Sequence, residues 1–532
     1  MKTIITLFTA VLLSQALSAQ TTLIPDANFE QQLIYLGYDS GTPNGSVPTA
    51  SIDTVTSLHI SGSNISDLTG IEDFIALTEL NCGYNSLTNL DVSNNPALTD
   101  LRCDNNTLTS LDVSNNTVLF VLICTENPLT SLDVSGATAL TRMFCYDNQL
   151  TSLDVSNNTA LTFLFCYDNQ LTSLDVSNNP ALTSLRCDNN TITSLDVSNN
   201  TALTGLYCYN NQLTSLDVSN NPALTSMFCY DNQLTSLDVS NNPALTSLKC
   251  DNNTLTSLDV SNNTALTYLW CYNNQLTSLD VSGATSLQYL KCYNNQLTSL
   301  DVSNNPALTS LYCNDNQLTS LDVSANANLR TLYCSNNLLT SLDFSSNNAF
   351  GELDCSNNQL SCLNIKNLPL ILWGGNDPFP NPPLPSPFPY PNTYNLSGNP
   401  NLTCIEVSDI TWATSYFTVA KGNIDATASF STDCNNPCSS ATTGMAEHEI
   451  IGKTAEHSLS LNLYPNPVTS SLVVETRYPL QLAIYNVQGK LMVDRAISST
   501  YTMNLSELAR GIYFLTATDE QGKVYSQKVV KE

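Results

Sequence analysis

Residues 98–118 read LTDLRCDNNTLTSLDVSNNTV, and this stretch decides the fold because the chain repeats it many times. A cysteine recurs every 21 residues from Cys82 to Cys355, fourteen times without a slip. An asparagine follows three residues after each of these cysteines, from Asn85 to Asn358. A fixed period of about 20 to 29 residues with leucines at this spacing predicts a solenoid, in which each turn adds one strand to a continuous parallel sheet.

Each turn divides into two similar halves. Residues 98–107 and residues 108–118 both contain Leu-x-x-Leu, followed two positions later by an apolar residue, Cys103 or Val113. This pattern predicts a strand in both halves. The Ser-Asn-Asn-Pro-Ala or Ser-Asn-Asn-Thr-Ala segment that closes most turns is turn chemistry and leaves no room for a helix. We therefore predict a mainly β fold, a flattened solenoid with parallel sheets and little helix.

The charge balance of the chain excludes some classes of partner. The 532 residues include 46 acidic and 17 basic side chains, which gives a formal net charge of −29. Such a chain is repelled by phosphate backbones and by anionic membrane surfaces, so we expect no nucleic-acid partner. Residues 1–19 combine a basic start, an apolar centre and small residues before a cleavage site, which predicts a secretory signal peptide. Elsewhere no run of about 18 apolar residues occurs, so we expect no transmembrane span.

Changes in composition predict the remaining domain boundaries. Residues 20–76 read as an N-terminal cap with a short amphipathic helix and degenerate repeats, and an exposed solenoid end needs such a lid. Residues 461–532 contain short alternating strands separated by turn residues, which predicts a small antiparallel β-sandwich. The other predicted segments are the solenoid with its fourteen cysteine-containing turns (77–366), a proline-rich insert and C-terminal cap (367–434), and a linker (435–460).

Two parts of the chain resemble known families. The nested repeat resembles the 21-residue class of bacterial leucine-rich repeats. NLYPNP at residues 462–467 and RGIYFL at residues 510–515 resemble the type A C-terminal sorting domain of the type IX secretion system of Bacteroidetes. The second resemblance implies export to the periplasm, recognition of residues 461–532 by the secretion machinery, and then release or attachment to the outer cell surface.

The fourteen cysteines of the repeat, called the ladder cysteines below, do not suit a metal or disulfide ladder. Neighbouring strands lie about 4.8 Å apart, and a straight row of thiols does not surround a tetrahedral ion. Neighbours that face the same way also do not bring their Cβ atoms to about 3.8 Å. We therefore expect small, inward-facing apolar side chains, and we predict no metal site and no cofactor. The asparagines are expected to satisfy the backbone where each turn leaves its strand.

Four cysteines lie outside the ladder: Cys362, Cys404, Cys434 and Cys438. An oxidising compartment favours pairing among them. Cys362 and Cys404 share the same position of the repeat pattern, so a looped-out turn would make them neighbours, and the connectivity stays open. Resemblance to the caps of related secreted proteins favours Cys404 with Cys434.

In the second half of each turn, an aspartate stands between an inward-facing leucine and another inward-facing apolar residue. Because side chains alternate along a strand, this aspartate points outward. These residues form an acidic ladder: Asp91, Asp112, Asp133, Asp154, Asp175, Asp196, Asp217, Asp238, Asp259, Asp280, Asp301, Asp322 and Asp343. Unit charges at about 5 Å repel each other by roughly 0.8 kcal/mol even in water. Counter-ions, hydrogen bonds from nearby Ser and Asn, or bound Ca²⁺ would offset that repulsion. A solvated stripe and a calcium site are both open interpretations.

The residues directly before and after each ladder cysteine also face outward, and here the turns vary. Some turns carry an ion pair, such as Arg186 with Asp188 or Lys249 with Asp251. Others carry aromatic residues, which we call the aromatic stripe: Phe144, Tyr146, Phe165, Tyr167, Tyr207, Tyr209, Phe228, Tyr230, Trp270, Tyr272, Tyr293, Tyr312 and Tyr333. An exposed stripe of this kind marks a binding surface, although cross-strand packing alone would also explain it.

The sequence offers little for catalysis. The three histidines, His59, His448 and His457, lie outside the repeats, in no recognisable nucleophile, zinc or phosphate-loop context. We therefore expect no enzyme and no catalytic residues. The prediction is an exported recognition or adhesion protein that binds a protein or a glycan through the aromatic stripe. The alternative is a rigid spacer on the cell surface without a specific ligand.

Overall fold

The structure is a computed structural model that describes residues 20–348, 351–367, 394–434, 438, 462–464, 470–475, 480–486, 490–497, 501–519 and 524–531. The chain divides between residues 442 and 443 into two compact units, which are treated separately. The predicted signal peptide lies outside the described residues. So do most of the proline-rich insert and, apart from Cys438, the predicted linker.

The first unit is a solenoid built on one long parallel sheet. Sixteen short strands stand side by side in this sheet. Neighbouring strands keep the repeat register, so Phe144 lies beside Phe165 and Phe165 beside Arg186. The sixteen strands are Ser57–His59, Glu79–Asn81, Asp100–Arg102, Val121–Ile123, Arg142–Phe144, Phe163–Phe165, Ser184–Arg186, Gly205–Tyr207, Ser226–Phe228, Ser247–Lys249, Tyr268–Trp270, Tyr289–Lys291, Ser310–Tyr312, Thr331–Tyr333, Glu352–Asp354 and Tyr394–Asn395. This confirms the predicted parallel-sheet solenoid.

The core runs the whole length of the solenoid as stacked rows of leucine, valine and cysteine. All fourteen ladder cysteines are free thiols and are buried. The expectation of inward, apolar thiols is confirmed. Burial raises the pKa of Cys82 to about 12 and that of most other ladder thiols well above the ordinary value. A buried neutral thiol of this kind packs as a small hydrophobe and is not a nucleophile at neutral pH.

The asparagines that stand three residues after the ladder cysteines, called the ladder asparagines, form hydrogen bonds with backbone groups of successive turns. Asn190 Nδ2 donates to Cys166 O, Cys187 O and Asp188 O, each at 3.1 Å. Its Oδ1 accepts from Leu171 N at 2.9 Å. The side chain therefore satisfies groups of its own turn and of the turn before it, as the sequence predicted. Asn189, directly before it, adopts the left-handed conformation with φ 53°, which Asn tolerates better than most residues.

The second half of each turn differs from the prediction. Strand pairing occurs there in three places: Ser110–Asp112 with Ser131–Asp133, Ser257–Asp259 with Ser278–Asp280, and a four-stranded sheet of Ser341–Asp343, Cys362–Asn364, Cys404–Glu406 and Ser429–Ser431. In the other described turns the second half forms no strand, and a buried asparagine joins it to the turn before. The same asparagine bonds also occur in strand-paired turns, as at Asn116. In a turn without a second strand, Asn200 Nδ2 donates to Val176 O and Asn179 O, both at 2.9 Å. Side-chain bonds thus replace part of the expected main-chain ladder.

Caps close both ends of the first unit. At the N-terminal end, Thr21–Leu23 pairs with Ser46–Pro48, and a helix spans Ala27–Tyr35. Asp26 caps this helix by accepting from Asn28 N at 2.8 Å and Phe29 N at 3.0 Å. The C-terminal end carries a helix at Ile410–Tyr416. Single 3-10 turns lie at Thr49–Ser51, Ile71–Asp73 and Val419–Lys421.

Two disulfides tie the C-terminal end of the first unit. Cys404 is bonded to Cys434 and Cys362 to Cys438, with Cα atoms 5.9 Å and 5.4 Å apart. Leu363 lies beside Ile405 in adjacent strands, so Cys362 and Cys404 are indeed neighbours in the sheet. Each of them nevertheless bonds a cysteine that arrives from the later segment.

The second unit consists of two small antiparallel sheets. Three strands form one sheet: Asn462–Tyr464, Ser471–Glu475 and Tyr501–Asn504. Four strands form the other: Leu480–Asn486, Leu491–Ile497, Gly511–Asp519 and Val524–Lys531. Leu472, Leu482 and Leu515 are among the residues of its own apolar core. Small antiparallel sheets were predicted here, from the alternating strands of residues 461–532.

Candidate functional site

The outward surface of the sixteen-stranded sheet gathers the aromatic stripe into two parallel rows. The strand register aligns equivalent residues of successive turns, so each row runs along the solenoid. The first row holds the residues directly before ladder cysteines: Phe144, Phe165, Tyr207, Phe228, Trp270, Tyr312 and Tyr333. The second row holds the residues directly after them: Tyr146, Tyr167, Tyr209, Tyr230, Tyr272 and Tyr293. All thirteen side chains are half-buried.

The second row consists of three stacked pairs of tyrosines. The ring centroids are 4.3 Å apart in Tyr146–Tyr167 and 4.3 Å apart in Tyr209–Tyr230. They are 4.4 Å apart in Tyr272–Tyr293, and the planes in all three pairs lie within 8° of parallel. Each pair therefore covers ring faces with ring faces along the solenoid axis. The Tyr209 hydroxyl is also engaged, because it accepts from Arg186 Nη2 at 3.2 Å.

The first row alternates aromatic rings with cations. Lys249 Nζ lies 3.9 Å from the Trp270 ring centroid and 4.5 Å from that of Phe228. Lys291 Nζ approaches the Trp270 ring from the next turn, at 4.3 Å. Burial lowers the pKa of both lysines. Cation–π contacts of about 0.5–2 kcal/mol each thus help to fix this row.

Arg186 joins the two rows in the turn between two tyrosine pairs. Its guanidinium carbon lies 4.1 Å from the Tyr167 ring centroid. Its Nε and Nη2 donate to Asp188 at 3.2 Å and 3.1 Å, and Nη2 also donates to the Tyr209 hydroxyl at 3.2 Å. Asp188 itself is fully buried. A planar cation here occupies the gap that the short Asp188 side chain leaves between Tyr167 and Tyr209.

The turn of Asp251 has the same pattern without the same contact. Lys249 and Asp251 occupy the positions of Arg186 and Asp188 three turns later. Among the described residues, however, the ion pairs within 4.0 Å do not include Lys249 with Asp251. Asp251 is 2% exposed, Asn252 Nδ2 donates to its Oδ2 at 3.2 Å, and its Oδ1 accepts no hydrogen bond. Burial raises the pKa of Asp251 to about 6, and a hydrogen bond from Tyr272 only partly offsets this.

A third row on the same surface was missed by the sequence reasoning. Tyr268 stacks on Tyr289 with ring centroids 4.8 Å apart, and Arg142 lies over Phe163 at 5.8 Å. These residues stand three positions before a ladder cysteine. Two-residue alternation along the strand would have placed them on the outward side.

Charge is divided between the two sides of the solenoid. Between Cys82 and Cys355 the basic residues are Arg102, Arg142, Arg186, Lys249, Lys291 and Arg330. Five of these lie in strands of the sixteen-stranded sheet, and Arg330 directly precedes the strand Thr331–Tyr333. The acidic ladder lies on the other side. The outer surface of the sheet is therefore the varied and partly cationic side of a strongly acidic protein.

The acidic ladder is exposed along most of its length, as predicted. Each ladder aspartate accepts a hydrogen bond from the backbone of the serine two residues later, for example Asp154 Oδ1 from Ser156 N at 2.9 Å. Hydrogen bonds from Ser156 lower the pKa of Asp154, and those from Ser93 and Ser177 lower the pKa values of Asp91 and Asp175. These bonds hold the carboxylates in their charged form. No cluster of three or more metal-ligating side chains occurs in the part of the chain that the structure describes.

Comparisons with known proteins identify both the C-terminal domain and the repeats. Residues 462–532 match the family model of the secretion system C-terminal sorting domain. Residues 264–305 and 285–326 match a model of two leucine-rich repeats, and residues 104–118 and 251–268 match a single-repeat model. The chain therefore carries leucine-rich repeats and a secretion-system sorting domain. The sorting domain points to secretion and to attachment at the cell surface.

The solenoid is also similar to proteins of two bacteria. A curated relative, Internalin J of Listeria monocytogenes, is 38% identical over 71 residues, which are 13% of this chain and 8% of that protein. The solved functional domain of InlJ from Listeria monocytogenes, described as including a cysteine ladder, is 28% identical with a TM-score of 0.56, covering 97% of this chain and 99% of that chain. A leucine-rich-repeat protein of Leptospira interrogans is 26% identical with a TM-score of 0.53, covering 59% and 87%.

These similarities relate the solenoid to the leucine-rich repeats of internalins, and the chain spans only 8% of the length of the curated relative it matches. In the described part of the chain, no helix has the length and apolar character needed to cross a membrane.

Proposed function

We propose that this protein is an exported, non-catalytic recognition protein that binds a protein partner through the outer surface of the sixteen-stranded sheet. The observation that carries the proposal is the mixture of rings and cations on that surface, such as Trp270 between Lys249 and Lys291. Tyrosine, tryptophan and arginine are the residues most enriched at the centres of protein interfaces. The repeated Thr-Ser-Leu-Asp side offers no comparable variety.

Ring orientation favours a protein over a glycan. A sugar ring packs its C–H groups against an exposed aromatic face. The faces within the pair Tyr146–Tyr167 are covered by each other, and the Trp270 ring lies against Lys249 and Lys291. The surface instead offers ring edges, hydroxyl groups and half-buried cations. These groups suit hydrogen bonds to the backbone and side chains of a protein.

The route to the surface belongs to the same proposal. Residues 1–19 direct the chain into the periplasm, and the sorting domain then directs it out of the cell. The solenoid would act there without a cofactor. The acidic ladder, solvated on the opposite side, keeps the exported protein soluble and turns the varied side toward its partner.

The test uses the full chain on arrays of proteins and glycans. A variant with Phe165, Tyr167, Trp270 and Tyr272 replaced by Ser is expected to lose binding to the recognised protein by at least about 100-fold, because such anchors dominate interface energetics. The matched control replaces four exposed residues of the opposite side, Thr151, Ser152, Thr172 and Ser173, by Ala and is expected to bind normally. Far-UV circular dichroism and thermal melting check that both variants are folded.

Three outcomes would contradict the proposal. Unchanged protein binding by the ring variant would show that the partner does not bind this surface. Binding to glycans alone would replace a protein ligand with a sugar. Binding to neither array, by a folded wild-type chain, would leave the spacer interpretation.

A further inference from the structure

The space between the tyrosines on either side of Asp251, called the gap at Asp251, corresponds to the gap at Asp188 three turns earlier. Both aspartates directly follow a ladder cysteine and lie between stacked tyrosine pairs of the second row. At Asp188 the gap holds a guanidinium, which contacts Tyr167 through its face and Tyr209 and Asp188 through its edge. The chain thus shows which group this arrangement accommodates.

Space for a planar group follows from the strand spacing. Tyr230 and Tyr272 belong to the turns on either side of Asp251, so their positions are separated by two strand spacings of about 4.8 Å each. Tyr230 stacks on Tyr209, and Tyr272 stacks on Tyr293. The opposite face of each ring therefore turns toward the gap. At Asp188 the guanidinium spans the same separation by stacking on Tyr167 and donating to the Tyr209 hydroxyl.

Asp251 also lacks the directly paired guanidinium that Asp188 has, although Lys249 and Lys291 interact with it at longer range. Its Oδ1 has no hydrogen-bond partner although the residue is only 2% exposed. Lys249 carries its ammonium group to Trp270 instead. Asn252 and Tyr272 hydrogen-bond this carboxylate, but a buried oxygen without a partner still costs stability. At this point the surface presents an anionic site inside its partly cationic rows.

We propose that the gap between Tyr230 and Tyr272 is a docking site for an arginine side chain of the protein partner, with Asp251 as its counter-charge. The inference rests on the proposed function, because it names one contact of that surface. Arginine fits better than lysine because its planar fork donates twice to a carboxylate while its faces stack on the rings. Because Asp251 is only 2% exposed, entry requires half-buried neighbours such as Lys249 to change rotamer.

The experiment titrates the full chain with acetyl-Gly-Arg-Gly-amide by isothermal titration calorimetry at low salt. We expect a Kd of about 1 mM for one stacked, ion-paired side chain. Two matched peptides carry citrulline or lysine in place of arginine. Citrulline keeps the shape of the side chain without its charge, and both peptides are expected to bind at least about tenfold more weakly.

Protein variants locate the binding site. Asp251→Asn removes the counter-charge and is expected to abolish binding. Lys249→Arg is expected to do the same, because the new guanidinium fills the gap from within, as Arg186 does at Asp188. In the Asp251→Asn background, Arg186→Ala opens the equivalent gap at Asp188 and should restore binding.

The assignment is overturned if the citrulline or the lysine peptide binds as tightly as the arginine peptide, if Asp251→Asn retains binding, or if no peptide binds. Failure of the double variant to bind, while it keeps the wild-type circular dichroism spectrum, also contradicts it. These results are separate from the array test. If the ring variant loses protein binding but no arginine peptide binds the wild-type chain, the arginine site is refuted. The proposed function is then still supported.

Discussion

Arg186 holds Asp188 through two hydrogen bonds, from Nε to Oδ1 at 3.2 Å and from Nη2 to Oδ2 at 3.1 Å. The aspartate is fully buried, and 30% of the arginine side chain is exposed. Removing one partner of such a pair leaves the other charge poorly solvated. We therefore predict that Asp188→Asn lowers the free energy of unfolding by about 2 kcal/mol at pH 7.5. Urea unfolding measures the change, and an unaltered midpoint would contradict it.

The same substitution three turns later is predicted to act in the opposite direction. Burial raises the pKa of Asp251 to about 6, above its value of about 3.9 in an unfolded chain. Ionisation is therefore harder in the folded state, and the wild type loses stability as the pH rises from about 4 through 6. Asp251→Asn should gain about 2 kcal/mol at pH 7.5 and nothing below about pH 4. A pH series of urea melts measures it, and a gain that persists at low pH would refute the explanation.

The ladder asparagines are predicted to be among the most costly polar residues to replace. Asn190→Ala leaves Leu171 N without its acceptor and removes the donor to Cys166 O, which belongs to the previous turn. We expect a loss of about 3 kcal/mol in the free energy of unfolding. Asn178→Ala is the control, because this asparagine is exposed, and it should change stability by less than about 0.5 kcal/mol. Equal effects of the two variants would show that the ladder has no special role.

Thiol labelling tests both the core and the disulfides. Burial protects the fourteen free ladder cysteines and raises their pKa values. Iodoacetamide should therefore leave the native protein unmodified at pH 8, because it reacts with exposed thiolates. Unfolding without reductant should expose fourteen reactive thiols, and unfolding with reductant all eighteen cysteines of the chain. Mass spectrometry counts the adducts. Labelling of native ladder cysteines, or a different count after unfolding, would disprove the assignment.

Much of the fold follows from local periodicity. The 21-residue spacing of the cysteines determines the length of a turn, and two-residue alternation sends Cys187 inward and Arg186 outward. The role of Asn190 was predictable for the same reason, since a tight bend beside a buried strand must satisfy its backbone groups. The aromatic stripe was correctly placed on one outward surface. Its role in binding is a proposal.

Other features depend on contacts between turns that a repeat pattern does not encode. The second half of a turn looks as strand-like as the first. Yet Asn200, which reads as part of a turn, donates to two carbonyl groups of the preceding turn and takes over part of that linkage where no second strand forms. Similarly, Cys362 and Cys404 are neighbours in the sheet but bond to Cys438 and Cys434. The choice among nearby cysteines depends on where later segments pass.

The sequence by itself determined the solenoid, its turn length and the side of each residue, because these follow from the periods of 21 and two residues. The tertiary structure alone decided how the outward residues meet. Arg186 turns toward Asp188 and Tyr167, whereas Lys249, in the equivalent position, turns to Trp270. That difference arises from the shape of the side chain and from the rings offered by the adjacent turns. It leaves one gap closed and the other without a cation.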